Sequence, residues 1–196
     1  MADHLEIERK FDVDPGFTLP DLSAVPGVAA VTGPEVHQLT AVYYDTPDLL
    51  LAAHSVTLRR RTGGTDAGWH LKLPAGQPGS RREYQEPLGD EIPARLSALV
   101  GDITAGAPLA PIATLSTKRR VLILRSSDGS PRAEIADDTV TATREGSARP
   151  TLVWREIEVE SADSETDVMD AAGKALTSAG ARTASSGSKL GRVLKS

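Results

Sequence analysis

The sequence predicts an α+β chain that is mainly β: an eight-stranded antiparallel β-barrel, closed around a charged lumen, with flanking helices. Three observations lead there. Segments rich in β-forming residues recur about eight times in 196 residues, joined mainly by short connections. Most carry charge at positions of one parity: Glu6/Glu8/Lys10, Arg59/Arg61, His70/Lys72, Lys118/Arg120, Glu134/Asp138 and Glu156/Glu158/Glu160. Side chains alternate between the faces of a strand, so each set shares a face. The opposite faces are often apolar, as with Leu5, Ile7 and Phe11, with Trp69, Leu71 and Leu73, or with Val153, Ile157 and Val159. In a closed sheet the charged faces converge on the lumen. The apolar faces then lie outside and need helices to cover them, the reverse of an ordinary small barrel.

Taken in order, residues 4–13 read as a strand ended by Asp14-Pro15-Gly16. Alone, Glu6-Ile7-Glu8-Arg9-Lys10 would be a solvated edge strand; the return of its pattern argues for a lumen. Residues 36–45 are a second strand. Asp45-Thr46-Pro47-Asp48 opens a short helix over 48–53, with Asp45 as its cap. Residues 55–62 and 68–74 form a hairpin about the turn at 63–66, and a loop at 75–80 leads to a strand at 81–88. The stretch 92–100 has helical spacing, and 101–111 is a Gly/Ala/Pro loop. Residues 113–126 and 132–143 form a second hairpin about Ser127-Asp128-Gly129-Ser130. Residues 151–160 complete the sheet. A helix over 164–180 is marked by Val168, Ala172, Ala175, Leu176 and a closing Gly180, and a final helix over 187–195 follows.

Composition narrows the function. The chain has no cysteine, which excludes a disulfide scaffold, a thiolate metal site and a cysteine nucleophile. No stretch approaches the roughly 20 apolar residues of a membrane helix, and no secretory leader is visible, so a cytoplasmic protein without a membrane partner is expected. The net charge of −5 and few aromatics disfavour nucleic acid as a partner. Yet Arg59-Arg60-Arg61, Arg81-Arg82 and Lys118-Arg119-Arg120 are dense basic knots on an acidic body, as local anion sites require.

A lumen lined with both carboxylates and cations is costly unless something binds there. Carboxylate oxygens are hard donors suited to Mg²⁺ or Mn²⁺. Arginine and lysine suit phosphate oxygens. A metal bound to several phosphates needs both sets side by side. Parity takes Arg9 and Arg60 out of the lumen. It leaves Arg119 against Arg120 open, because a bulge would exchange them, and likewise Asp137 against Asp138, although Asp138 fits better with Val140. Glu134 stands equally as a rim residue, and Glu160 is expected past the tunnel end. His70, Tyr43 and Tyr44 are expected to pack. Lys189 is either a surface lysine or one that reaches the tunnel mouth.

The ordered set Glu6-x-Glu8-x-Lys10, Tyr43-Tyr44-Asp45-Thr46, Leu58-Arg59-Arg60-Arg61, Trp69-His70-Leu71-Lys72-Leu73, Arg82-Glu83, Lys118-Arg119-Arg120, Asp138 and Glu156-Ile157-Glu158 resembles the CYTH superfamily, the triphosphate tunnel metalloenzymes. The likeness covers nearly the whole chain, so 1–196 is expected to be one tunnel domain with 183–196 as a tail or linker. It implies that Glu6, Glu8, Asp138, Glu156 and Glu158 face the metal. Lys10, Arg59, Arg61, Lys72, Lys118 and Arg120 would hold the phosphates, and Glu6, Glu8 and Lys10 would serve catalysis. Glu83, Arg82, Arg119 and Lys189 are further candidates. Gln85 stands where some relatives carry a second glutamate.

The implied reaction is metal-dependent hydrolysis of a terminal phosphate, with inorganic triphosphate as the expected substrate. Competing readings are a non-catalytic polyphosphate or nucleotide-binding module, and an adenylate cyclase or thiamine triphosphatase in the same tunnel. Relatives of this length often precede a helical phosphate-binding CHAD domain, and Ser185–Ser196 reads as the lead into one.

Overall fold

The structure, a computed structural model, describes residues 2–76, 80–147, 150, 152–162 and 166–196. Outside them lie 77–79 of the expected loop at 75–80, 151 of the strand at 151–160, and 164–165 of the helix at 164–180. Eight antiparallel strands form the barrel: β1 (Ala2–Val13), β2 (Ala30–Asp45), β3 (Thr57–Thr62), β4 (Gly68–Pro74), β5 (Ser80–Glu86), β6 (Ala110–Arg125), β7 (Pro131–Arg144) and β8 (Leu152–Ser161). Around the ring they run β5-β4-β3-β2-β6-β7-β8-β1, and β1 pairs back with β5 to close it. Closure removes the free sheet edges that would otherwise template association. A two-residue strand, β9 (Arg182–Thr183), lies beside the later part of β1.

Among the described residues, five α-helices flank the barrel: α1 (Leu50–Ala53), α2 (Ala94–Leu99), α3 (Gly101–Thr104), α4 (Asp167–Ser178) and α5 (Lys189–Lys195). The loop expected at 101–111 therefore begins as α3 and ends inside β6. β2 starts six residues before the strand expected at 36–45, within a segment whose Thr32, Gly33 and Pro34 gave no period-2 signal.

The apolar outer faces are covered as the inverted pattern requires. α4 buries Val168, Met169, Ala172 and Leu176 against Phe11, Ile135, Ile157 and Val159. Full burial of each large aliphatic side chain stabilises by about 1.5–3 kcal/mol. Gly173 lets α4 approach, since a Cβ there would stand 3.0 Å from Phe11. On the other flank, α1 and α2 cover Leu58, Trp69 and Leu71 with Leu51 and Leu96. The carboxylate of Asp45, fully buried, accepts the N–H groups of Leu51 and Ala52, both at 2.9 Å, and so caps α1.

α5 has a different place. Its Leu190 and Val193 pack with Tyr43, Leu115, Val140 and Trp154, which share strand parity with lumen-facing residues. The helix thus seals one end of the barrel. Ser188 caps it by accepting the Gly191 N–H at 2.9 Å, and Arg192 pairs with Asp12 and stacks on Trp154.

Candidate active site

A cavity of about 530 Å³ runs through the barrel. Its lining includes Glu6, Glu8 and Lys10 from β1, Arg59 and Arg61 from β3, His70 and Lys72 from β4, and Glu83 from β5. Arg119 of β6, Glu134 of β7 and Glu158 of β8 complete the ring, with Lys189 of α5 at the sealed end. Alternation on closed strands brings these sequence-distant groups together.

The acidic residues form a cluster. Carboxylate oxygens of Asp138, Glu156 and Glu158 all lie within 4.8 Å of one another. Asp138 and Glu156 are buried behind Arg119 and Lys189, with Asp138 wholly inaccessible. Arg119 donates to both oxygens of Asp138, at 2.8 and 2.6 Å, and to Glu158 at 2.7 Å. Lys189 Nζ sits 2.9 Å from Asp138, 2.7 Å from Glu156 and 2.7 Å from Glu158. Burial alone would raise these carboxyls, but the adjacent Lys189 and Arg119 hold Asp138 below its usual range, and Lys10, Lys189 and Arg119 hold Glu158 well below its own. The ammonium of Lys189 is held well above its usual range by the same three acids, against burial.

This donor set fits a divalent cation. Three hard oxygen ligands from two neighbouring strands converge, and Glu156 Oε1 is buried without an aligned hydrogen-bond donor, Lys189 standing near but off the bonding direction. Its other oxygen accepts from Trp154 Nε1 at 2.5 Å. Glu6 and Glu8, also expected to face the metal, are not among these three carboxylates, but Glu8 is joined to them through Lys10, which pairs with both Glu8 and Glu158. Glu6 pairs with Lys72 and Glu8 with Lys10, the latter at 2.8 Å. Burial pushes the Glu6 carboxyl up despite Lys72, whereas Lys10 holds Glu8 down against burial.

The cationic side of the lumen is less well satisfied. Arg59 is half-buried, with its side chain 12% exposed, and its buried Nε has no hydrogen-bond partner among the described residues. Among the described residues, its terminal nitrogens reach Tyr43 Oη at 3.4 Å and stand 4.0 Å from Glu83. Arg61 pairs with Asp66, which the sequence places in a turn. That turn needs glycine, because Gly63 has φ +78° and a Cβ there would meet Gln38 O at 2.1 Å.

Two expected phosphate ligands are misplaced by the sequence reading. Lys118 and Arg120 face outward, where with Asp137 and Arg155 they line a separate cleft, and Arg120 is 3.8 Å from Asp137. Arg119 takes the inward place. The reason is packing: Leu122 and Leu124 share the parity of 118 and 120 and join the apolar layer under α4, so the whole face turns out. Arg82 is likewise exposed, and Arg81 lines the lumen with Glu83.

Glu160, expected beyond the tunnel, lines it. Burial and the nearby Glu6 push its carboxyl up to about 8. Glu134 lines it too, and burial raises its carboxyl. Tyr43 and His70, expected to pack, both line the cavity, whereas Tyr44 packs on Trp69 with centroids 5.1 Å apart. Asp45 caps a helix, as expected. Parity with Glu83 and Glu158 was the available signal for Arg81 and Glu160; Asp66, in a turn, had none.

Comparison with known proteins agrees with this geometry. The CYTH domain family matches residues 4–193. An uncharacterised protein of Mycobacterium tuberculosis is 43% identical over 209 residues, covering 98% of this chain but 40% of that protein, so the chain spans under half the length of that relative. Human thiamine-triphosphatase is 31% identical over 176 residues, covering 81% of this chain and 72% of its own. Among solved structures, a Bacillus halodurans protein named as a candidate adenylate cyclase superposes with a TM-score of 0.68 at 20% identity, covering 98% of each chain. A Hippeastrum protein described as having a dominant triphosphatase activity gives 0.52 at 17% identity, covering 97% of this chain and 95% of that one. With its barrel, its ordered charged strands and this match over nearly its whole length, the chain belongs to the CYTH domain family.

Proposed function

We propose that the chain hydrolyses the terminal phosphate of a triphosphate compound, with inorganic triphosphate as the preferred substrate. The observation that supports this most is Arg59, a half-buried guanidinium in the tunnel whose buried Nε has no partner among the described residues. Leaving such a donor unpaired costs about 1–3 kcal/mol, more for a charged group. A phosphate oxygen removes that cost, and Arg61, Lys72, Lys10 and Arg119 stand along the same cavity to take further oxygens. Human thiamine-triphosphatase, a relative of this chain, carries the triphosphatase activity in its name.

The chain's own residues then divide the work. Arg59, Arg61 and Arg119 bind and extend the triphosphate, while Lys72 and Lys10 neutralise its charge. Glu6, whose carboxyl burial has raised, is the better base of the β1 pair and takes a proton from the attacking water. The water oxygen bonds to the terminal phosphorus as the bridging P–O bond breaks, giving orthophosphate and diphosphate. Positioning and electrostatics supply most of the acceleration. Asp138, Glu156 and Glu158 would hold a divalent cation, Mg²⁺ and Mn²⁺ suiting their oxygen donors, and it would supply charge neutralisation for the triphosphate.

A thiamine or nucleoside group would need an aromatic platform. Among the described lining residues, Tyr43 is the only Phe, Tyr or Trp; it is 3% exposed and engaged with Arg59. Trp69 is buried under the helices. A pure polyphosphate binder is disfavoured because carboxylates in its cavity would weaken anion binding. Orthophosphate release from triphosphate, ATP, thiamine triphosphate and long polyphosphate, each with Mg²⁺, Mn²⁺ or EDTA, tests the reading. Metal-dependent release, fastest from triphosphate, is expected; no release from any substrate would refute it.

A further inference from the structure

His70 is 2% exposed, and both of its ring nitrogens face oxygens. Nδ1 lies 2.8 Å from Glu83 Oε1, and Nε2 lies 2.8 Å from the carbonyl oxygen of Asp66. A backbone carbonyl can only accept, and so can an ionised carboxylate. Glu83 is ionised: burial opposes this, but the His70 hydrogen bond, Lys72 and Arg59 hold its carboxyl well below the usual range. A neutral imidazole has one N–H and one lone pair, so either tautomer would set a lone pair against an oxygen. Both contacts are hydrogen bonds together only in the imidazolium form.

The surroundings show what that cation does. Glu83 Oε1, which takes the His70 hydrogen bond, also stands 4.0 Å from Arg59 Nη2, and Lys72 Nζ stands 3.6 Å from Oε2. Arg59 and Gln85 flank His70 from the neighbouring strands, and Asp66 with its partner Arg61 faces it from the turn. Remove the imidazolium, and the Arg59 guanidinium, 4.0 Å from the vacated carboxylate oxygen, is a donor one short shift away from it.

We propose that His70 is a positioning residue, a fixed imidazolium that engages Glu83 and thereby keeps the Arg59 guanidinium open for phosphate oxygens. It acts through Glu83 and touches no substrate. This role rests on the tunnel being the triphosphate site. It predicts an unusual pair of effects. Losing His70 harms binding because an acid is released, so losing that acid as well repairs it.

Two measurements decide it. The first is the imidazole ¹H–¹⁵N spectrum of the wild-type chain at pH 7, which depends on no variant. Both His70 nitrogens are expected to be protonated; one unprotonated nitrogen overturns the inference. The second is calorimetric binding of inorganic triphosphate without divalent metal. His70→Gln is expected to weaken binding about tenfold, the scale of one charge-assisted hydrogen bond. The double variant His70→Gln, Glu83→Gln is expected to recover most of that loss, which a merely structural role would not produce. A single variant that binds like wild type, or a double variant no better than the single, overturns the inference. Wild type that binds no triphosphate removes the functional reading itself and the role of His70 with it. Tight wild-type binding beside a neutral His70 leaves that reading intact and overturns only the inference.

Discussion

Lys189 Nζ lies 2.9 Å from Asp138 Oδ2, which puts a lysine of the last helix at the centre of the acidic cluster formed by β7 and β8. The contact ties α5 to the barrel and fills the place a divalent cation would take. Removing one partner of a buried ion pair costs about 3–5 kcal/mol because the other charge is stranded.

Lys189→Met should therefore destabilise the metal-free chain by about 3 kcal/mol, on the order of 10 °C in Tm for a chain of this size. Added Mn²⁺ should raise the variant's Tm by more than it raises that of wild type. Calorimetric scans with EDTA and with Mn²⁺ check both. Equal metal response in the two proteins would show that Lys189 and the metal do not share the cluster.

Arg119 and Arg120 are neighbours in sequence with opposite outlooks. Arg119→Ala should weaken triphosphate binding by about 10- to 100-fold, the loss of one or more charged hydrogen bonds. Arg120→Ala, on the outer face, should change it less than twofold. Titration calorimetry of the two variants separates them, and the opposite ranking would mean that β6 is turned over.

Asp45 belongs to the family-like segment Tyr43-Tyr44-Asp45-Thr46 but serves α1. Asp45→Ala should cost about 2 kcal/mol in urea unfolding, since it strands several buried N–H groups. The metal dependence of turnover should be unchanged. A shift in metal affinity would place Asp45 at the metal instead.

Glu83 links stability to pH. Its folded carboxyl is held below the ordinary value of 4.5, so it binds its proton less readily folded than unfolded. The stability it contributes is fully present above pH 4.5 and fades as pH falls toward the folded value. The penalty of Glu83→Gln, of order 2 kcal/mol at pH 7, should shrink by about 1 kcal/mol at pH 4. Urea titrations of both proteins at the two pH values measure this. A penalty that grows on acidification would reverse the sign assigned to Glu83.

The barrel was legible because its alternation is unusually explicit. Glu6/Glu8/Lys10, His70/Lys72 and Glu156/Glu158 each oppose apolar faces, and one strand's parity fixes its outlook. Where it failed, charge stood on both parities. Lys118-Arg119-Arg120 offers a cation whichever way β6 faces. The deciding contacts, Leu122 and Leu124 under α4, are tertiary. Arg82 was avoidable: with Glu83 in the lumen, only Arg81 can share its face. Lys189 stayed open between the surface and the tunnel mouth, because nothing local shows that α5 turns back into the barrel. His70 was discounted as packing because its partners, Glu83 and the Asp66 carbonyl, come from another strand and a turn.

A crystal structure of the chain soaked with inorganic triphosphate, without divalent metal, tests the central claim most directly. The account predicts phosphate oxygens inside the barrel within hydrogen-bonding reach of Arg59 Nε, Arg61 and Arg119. Triphosphate bound only in the outer cleft beside Lys118 and Arg120, with the barrel empty, would contradict it.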